Sequence, residues 1–106
     1  MSRRTIAIAA ALSVLALGSP LVGANANPLA TQYFDQGVEK YDAGNYQGAI
    51  DDYTKAIEIN PRFANAYTNR GIYREVVNDL KGACVDWRKA VDLGDELPAE
   101  WVKNQC

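Results

Sequence analysis

A chain of 106 residues, 48% hydrophobic and 23% charged, has the length of one domain and no more. Its 11 basic and 13 acidic residues leave a net charge of −2 without a basic cluster, so it offers no electrostatic footprint for nucleic acid or anionic lipid. It contains no histidine, and its serines all fall within residues 1–26, which excludes serine–histidine and cysteine–histidine catalysis and imidazole-based zinc sites in the remainder.

The first segment stands apart in composition. Met1 to Arg4 carries two arginines, Thr5 to Leu17 is almost unbrokenly apolar, and Ala24-Asn25-Ala26 places small residues two apart. This pattern predicts a secretory signal peptide over residues 1–26, cleaved after Ala26. Gly18, Ser19, Pro20 and Gly23 break the run short of the roughly 20 apolar residues a membrane span needs, which reads against an uncleaved anchor. Ser2-Arg3-Arg4 lacks the rest of a twin-arginine signal, so general secretion is expected. The mature chain is then exported, to the periplasm or the medium, or to the thylakoid lumen in a photosynthetic cell. Removing Arg3 and Arg4 leaves 9 basic against 13 acidic residues, a net charge of −4. A domain this small buries a limited core and calls for a staple or a partner. No later segment predicts a membrane span.

From Asn27 onward the chain repeats itself. At a shift of 34 residues Ala30, Tyr33, Gly37, Gly48, Ala49, Asp52, Lys55 and Ala56 meet identical residues at Ala64, Tyr67, Gly71, Gly82, Ala83, Asp86, Lys89 and Ala90. A fixed period of this length marks stacked supersecondary units, here residues 30–63 and 64–94 within a region spanning 27–94. Inside the first unit Tyr33, Gly37 and Tyr41 share one helical face, Gly44-Asn45 interrupts, and Ala49, Ile50, Tyr53, Ala56 and Ile57 recur at three and four residues. Each unit therefore predicts helix, tight turn, helix, and Asn60-Pro61 ends the first. Gly37, Ala49 and Ala56 let helices approach closely beside the large Tyr53, as Gly71, Ala83 and Ala90 do beside Trp87. Tyr33, Tyr53, Tyr67 and Trp87 are expected in the core, whereas Tyr41 and Tyr73 are left unassigned.

Tyr33-x3-Gly37, Gly44-Asn45-Tyr46-x2-Ala49-Ile50, Tyr53-x2-Ala56 and Asn60-Pro61 together resemble the tetratricopeptide repeat, and the likeness covers nearly all of residues 30–94. The chain is similar to small exported bacterial members with two repeats and a terminal capping helix. The resemblance implies an all-α fold of antiparallel helix hairpins in a short α-solenoid, about five helices in all. The second unit departs from the pattern at Asn78-Asp79-Leu80, and Gln36 and Arg70 are polar where the family usually has leucine.

The family binds peptides or proteins in a groove lined by the first helix of each pair. Carried over by position, the groove residues are Phe34, Val38, Tyr41, Asp42, Asn65, Thr68, Asn69, Ile72 and Glu75. A subclass clamps a C-terminal carboxylate with lysine, arginine and asparagine; Asn69 fits it, but Phe34 and Val38 do not, so that clamp is not expected.

After Gly94, residues 95–106 predict a capping helix, with Asp95 at its start, Pro98 in its first turn and Leu97, Trp101 and Val102 on its apolar side. If this helix folds back antiparallel at Gly94-Asp95, the register puts Cys84 opposite Cys106. An even cysteine count in an exported domain then favours a structural disulfide. Asp35, Glu39 and Asp42 share a helical face and read as a solvated surface rather than a cation site; Asp51 and Asp52 are expected to stand near Lys55 as surface ion pairs. The expected protein is therefore no enzyme, takes no metal or cofactor, and serves as an adaptor for a protein or peptide. A self-associating structural module is the alternative, because two repeats fall below the usual minimum for independent stability.

Overall fold

The computed structural model describes residues 27–106, so the expected signal peptide lies outside the described residues. Among the latter are five helices and no strand: α1 (Pro28–Asp42), α2 (Tyr46–Ile59), α3 (Ala64–Val76), α4 (Leu80–Asp92) and α5 (Ala99–Gln105). α1 pairs with α2 and α3 with α4 as hairpins; α2 also packs on α3, and α4 on α5. The fold is all-α, built of helix hairpins. None of the described helices is long and apolar enough to cross a membrane.

The helix ends follow from local chemistry. Asn27 opens α1 by accepting the amide of Leu29 at 2.9 Å, with Pro28 in the first turn, where its missing amide costs nothing. Asn45 and Asp79 open α2 and α4 in the same way, each accepting the amide of a glycine three residues on, Gly48 and Gly82, at 2.9 Å. The residue before each cap is left-handed: Gly44 at φ +80°, and its repeat equivalent Asn78 at φ +69°. Asparagine tolerates that conformation better than other side chains, so Asn78-Asp79 builds the turn that Gly44-Asn45 builds in the first unit.

Both hairpins close around one aromatic ring set against a glycine. A Cβ at Gly37 would come within 2.9 Å of the Tyr53 ring, and one at Gly71 would strike Trp87 closer still. Both rings are fully buried, with Ala49, Ala56, Ala83 and Ala90 beside them. Removing Cβ from the facing helix is what makes room for such large side chains at native packing density.

Polar residues occupy the core as well, and they correct one expectation. Asp52 does not stand at the surface beside Lys55; it is 4% exposed and pairs with Lys40 of α1 at 2.9 Å. Asp51 instead accepts a hydrogen bond from Gln47, while Lys55 sits over the Tyr33 ring. The turn separating Asp51 from Asp52 carries the second carboxylate into the hairpin seam. At the equivalent place Asp86, 1% exposed, takes two hydrogen bonds from Arg70 at 2.7 and 2.8 Å and a third from Arg74 at 2.9 Å. Arg70 also donates to Thr54 of α2 at 3.1 Å. The polar residue in place of the family's leucine thus ties the second hairpin to the first.

The capping helix begins at Ala99, four residues later than expected, because Pro98 disfavours helix at Leu97. Leu97, expected on the apolar side, is 63% exposed. Asp95 caps no helix; it accepts the Leu97 amide at 3.1 Å and the Thr68 hydroxyl at 2.6 Å, pinning the linker to α3. α5 lays Trp101 against Trp87, ring centroids 5.2 Å apart, and Cys106 is bonded to Cys84 across a Cα–Cα distance of 5.8 Å.

Two stability measurements test these contacts. Asp86→Ala leaves two largely buried arginines without a counter-charge and is expected to cost about 3 kcal/mol in denaturant unfolding. Asp52→Ala frees a lysine that already reaches water, and is expected to cost roughly 1 kcal/mol. Reducing the Cys84–Cys106 bond opens a loop spanning 22 residues. By chain entropy that removes about 3 kcal/mol, read as a lower thermal midpoint in reductant and no change in a Cys84→Ala/Cys106→Ala control.

Candidate partner-binding face

α1 and α3 run side by side on the same flank of the hairpins, joined by aromatic contacts that sequence position alone leaves unassigned. Tyr41 of α1 stacks on Tyr73 of α3, with centroids 4.7 Å apart, and Tyr73 stacks on Tyr53 of α2 at 5.3 Å. Phe34 sits edge-on to Tyr53 at 5.3 Å and stacks on Phe63 at 5.0 Å. Tyr46 adds a tilted contact to Tyr41. Offset and edge-on ring pairs of this kind each add about 0.5–1.5 kcal/mol beyond burial, so the face is ordered before anything binds.

The positions carried over from the family divide into three groups. Phe34, Tyr41, Asn69 and Ile72 gather around Tyr53 and Tyr73, with Asn69 donating to the Tyr53 hydroxyl at 3.4 Å and Phe34 and Ile72 half-buried against the core. Val38 and Asp42 are exposed on α1, and Glu75 is half-buried on α3. Thr68 and Asn65 are different. Thr68 is 3% exposed, with its hydroxyl held by Asp95, so it is part of the linker's anchorage and not a groove contact. Its expected role fails because the linker after α4 folds over it. Asn65 is exposed but lines a separate hollow with Arg62, Phe63 and Leu93.

Burial, first, and the hydrogen bond with Tyr73 hold the Tyr53 hydroxyl above the usual tyrosine range, so it remains a neutral hydrogen-bonding group throughout the physiological range. Among the described residues there is no group of three His, Cys, Asp or Glu side chains placed to hold a metal ion. Asp35, Glu39 and Asp42 are exposed along α1.

Further along the same flank, between α3 and α5, lies a cavity of about 280 Å³ lined by Ile72, Glu75, Trp87, Trp101 and Gln105. Only Ile72 and Glu75 were among the expected groove residues. The 34-residue shift carries the signal for the rest: Trp101 and Gln105 fall on the positions of Tyr67 and Gly71, so α5 enters the stack as the start of another first helix.

Residues 37–74, from the middle of α1 to near the end of α3, match the family model described as TPR repeat. Over 67 residues the chain is 40% identical to the tetratricopeptide repeat protein 36 homolog of Nematostella vectensis, covering 63% of this chain and 37% of that protein. It is 38% identical over 58 residues to tetratricopeptide repeat protein 36 of Mus musculus and of Homo sapiens, covering 55% of this chain and 31% of each relative. The chain thus spans about a third of the length of these relatives. Repeats of this kind generally mediate protein–protein interaction, in proteins that are generally non-catalytic scaffolds. The matched segment holds the junction of the two hairpins and the stacked rings that cross it, so the chain carries a tetratricopeptide repeat over residues 37–74 and is homologous there to tetratricopeptide repeat protein 36.

Proposed function

We propose that this protein is a non-catalytic adaptor of an extracytoplasmic compartment, which holds a protein or peptide partner on the α1–α3 face. In this reading residues 1–26 are a cleaved export signal, residues 27–94 form two repeats, and residues 95–106 cap them. The observation that carries it is the exposed pair Val38 and Tyr41 on α1, of which Tyr41 is stacked on Tyr73, in a face where the Asn69 amide is bonded to the Tyr53 hydroxyl. An apolar strip already fixed by its neighbours loses little side-chain freedom when a partner covers it, which is what makes such a strip a good docking surface. The bonded cysteine pair suits an oxidising compartment, and so supports export.

Self-association is the weaker reading, for a reason internal to the repeat. Ala66, Asn69, Arg70 and Tyr73 are among the α3 residues that meet α2. Their equivalents on α1 are Gln32, Asp35, Gln36 and Glu39, all exposed. The side of α1 on which another hairpin would stack is therefore polar, as the outer face of a terminal repeat is.

A photo-reactive phenylalanine analogue at Val38, in the native host, is expected to cross-link one protein that the same analogue at Lys89 of α4 does not. Tyr41→Ala is then expected to weaken that complex about tenfold or more. Equal labelling from both positions overturns the assignment of this face. The intact mass of the purified protein is expected to begin at Asn27 and to correspond to one chain at all concentrations in sedimentation; an uncleaved start counts against export, and a rising mass favours self-assembly.

A further inference from the structure

The two hairpin junctions are built on one plan and finished differently. At the first, Tyr53 is the floor between α1 and α3, and the Tyr41–Tyr73 stack closes the gap above it. At the second, Trp87 takes the place of Tyr53, and Glu75 takes the place of Tyr41. Among the described residues no ring stands over Glu75 as Tyr73 stands over Tyr41, and the gap is open as the cavity lined by Ile72, Glu75, Trp87, Trp101 and Gln105. Its walls combine a carboxylate, a carboxamide and the half-exposed indole of Trp101, which leans on the buried Trp87.

The cations of α1 and α3 point elsewhere. Lys40 is bound to Asp52, and Arg70 and Arg74 to Asp86, all turned into the hairpin seams. Asp42 and Glu75 form no ion pair within 4.0 Å among the described residues, and Lys103 of α5 does not line the cavity. The face thus presents unneutralised negative charge beside an aromatic ring. A carboxylate adjoining an indole is the combination that attracts a guanidinium or ammonium group, which gains from the ring face and the charge together.

We propose that the gap between α3 and α5 is a subsite for a cationic side chain, arginine or lysine, of the partner segment held on the α1–α3 face. The subsite rests on the groove reading given above and adds the charge of the partner to it. The side chain enters over Trp101, its charged end meets the Glu75 carboxylate, and Gln105 accepts one of its N–H groups through the amide oxygen. Such a subsite makes the groove selective for basic segments and makes its affinity fall with salt.

The test uses the disulfide-bonded mature chain and three acetylated nonapeptides of alanine and serine, with arginine, citrulline or glutamate at the centre. In nuclear magnetic resonance titrations the arginine peptide is expected to move the Trp101 indole N–H and the Glu75 amide. It is also expected to bind about threefold or more tighter than its neutral citrulline counterpart, an advantage that shrinks as salt is raised. Glu75→Gln is expected to erase that preference at an unchanged thermal midpoint, while Glu39→Gln leaves it intact. Equal binding of arginine and citrulline peptides, or shifts that avoid Trp101, overturns the subsite. If a partner still cross-links through Val38, the groove reading survives that failure; if none does, both fall.

Discussion

The buried carboxylate of Asp86 organises this small molecule. It lies at the seam of the second hairpin, almost free of solvent, and three N–H donors from two arginines converge on it. A lone carboxylate there would be intolerable; a half-satisfied one would be worse than an apolar side chain. With its donors in place it fixes Arg70, and Arg70 in turn reaches Thr54 across the junction to α2. The relative placement of the two hairpins therefore depends on a polar contact with defined direction as much as on buried apolar area. Hydrophobic contact alone would allow them to slide. The aromatic stack that spans α1 and α3 needs that placement, since Tyr41 and Tyr73 meet only if the junction is held in one register.

How far this was legible in the sequence depends on which residues are considered. The hairpins were readable because period, helix-breaking turns and small residues agree with one another at every level, and agreement across levels is what a foldable sequence shows. The closing of Cys84 on Cys106 follows an antiparallel register that needs only the position of the turn. Asp52 was misplaced because helical spacing tells which residues share a face, not which face is covered; an aspartate next to a lysine one turn away looks exposed until a lysine of another helix claims it. The start of α5 was misplaced for the opposite reason, since the capping preference of Asp95 is weaker than the restriction Pro98 places on its predecessor.

The candidate site was readable only in part. Matching positions to a family finds residues by where they fall along a helix, and Phe34, Tyr41, Asn69 and Ile72, selected in that way, lie together around Tyr53 and Tyr73. It could not show that Thr68 is occupied by Asp95, a contact made 27 residues away by a linker with no regular structure. Nor could it give the cavity wall formed by Trp101 and Gln105, which belongs to a helix outside the repeat pattern the matching relied on.

The exposed polar flank of α1 also bears on how such a protein can lengthen. Gln32, Asp35, Gln36 and Glu39 give the first hairpin a polar outer flank, of the kind a terminal repeat has. The second hairpin contacts a neighbour on both sides, α2 through Arg70 and α5 through Trp87. Duplication of the second unit in place would thus yield a coherent longer array in one step, each copy bringing its own arginine bridge, whereas duplication of the first would set four polar side chains against a hydrophobic helix. In this architecture the two halves agree at eight positions, yet they differ in what a copy of each would meet.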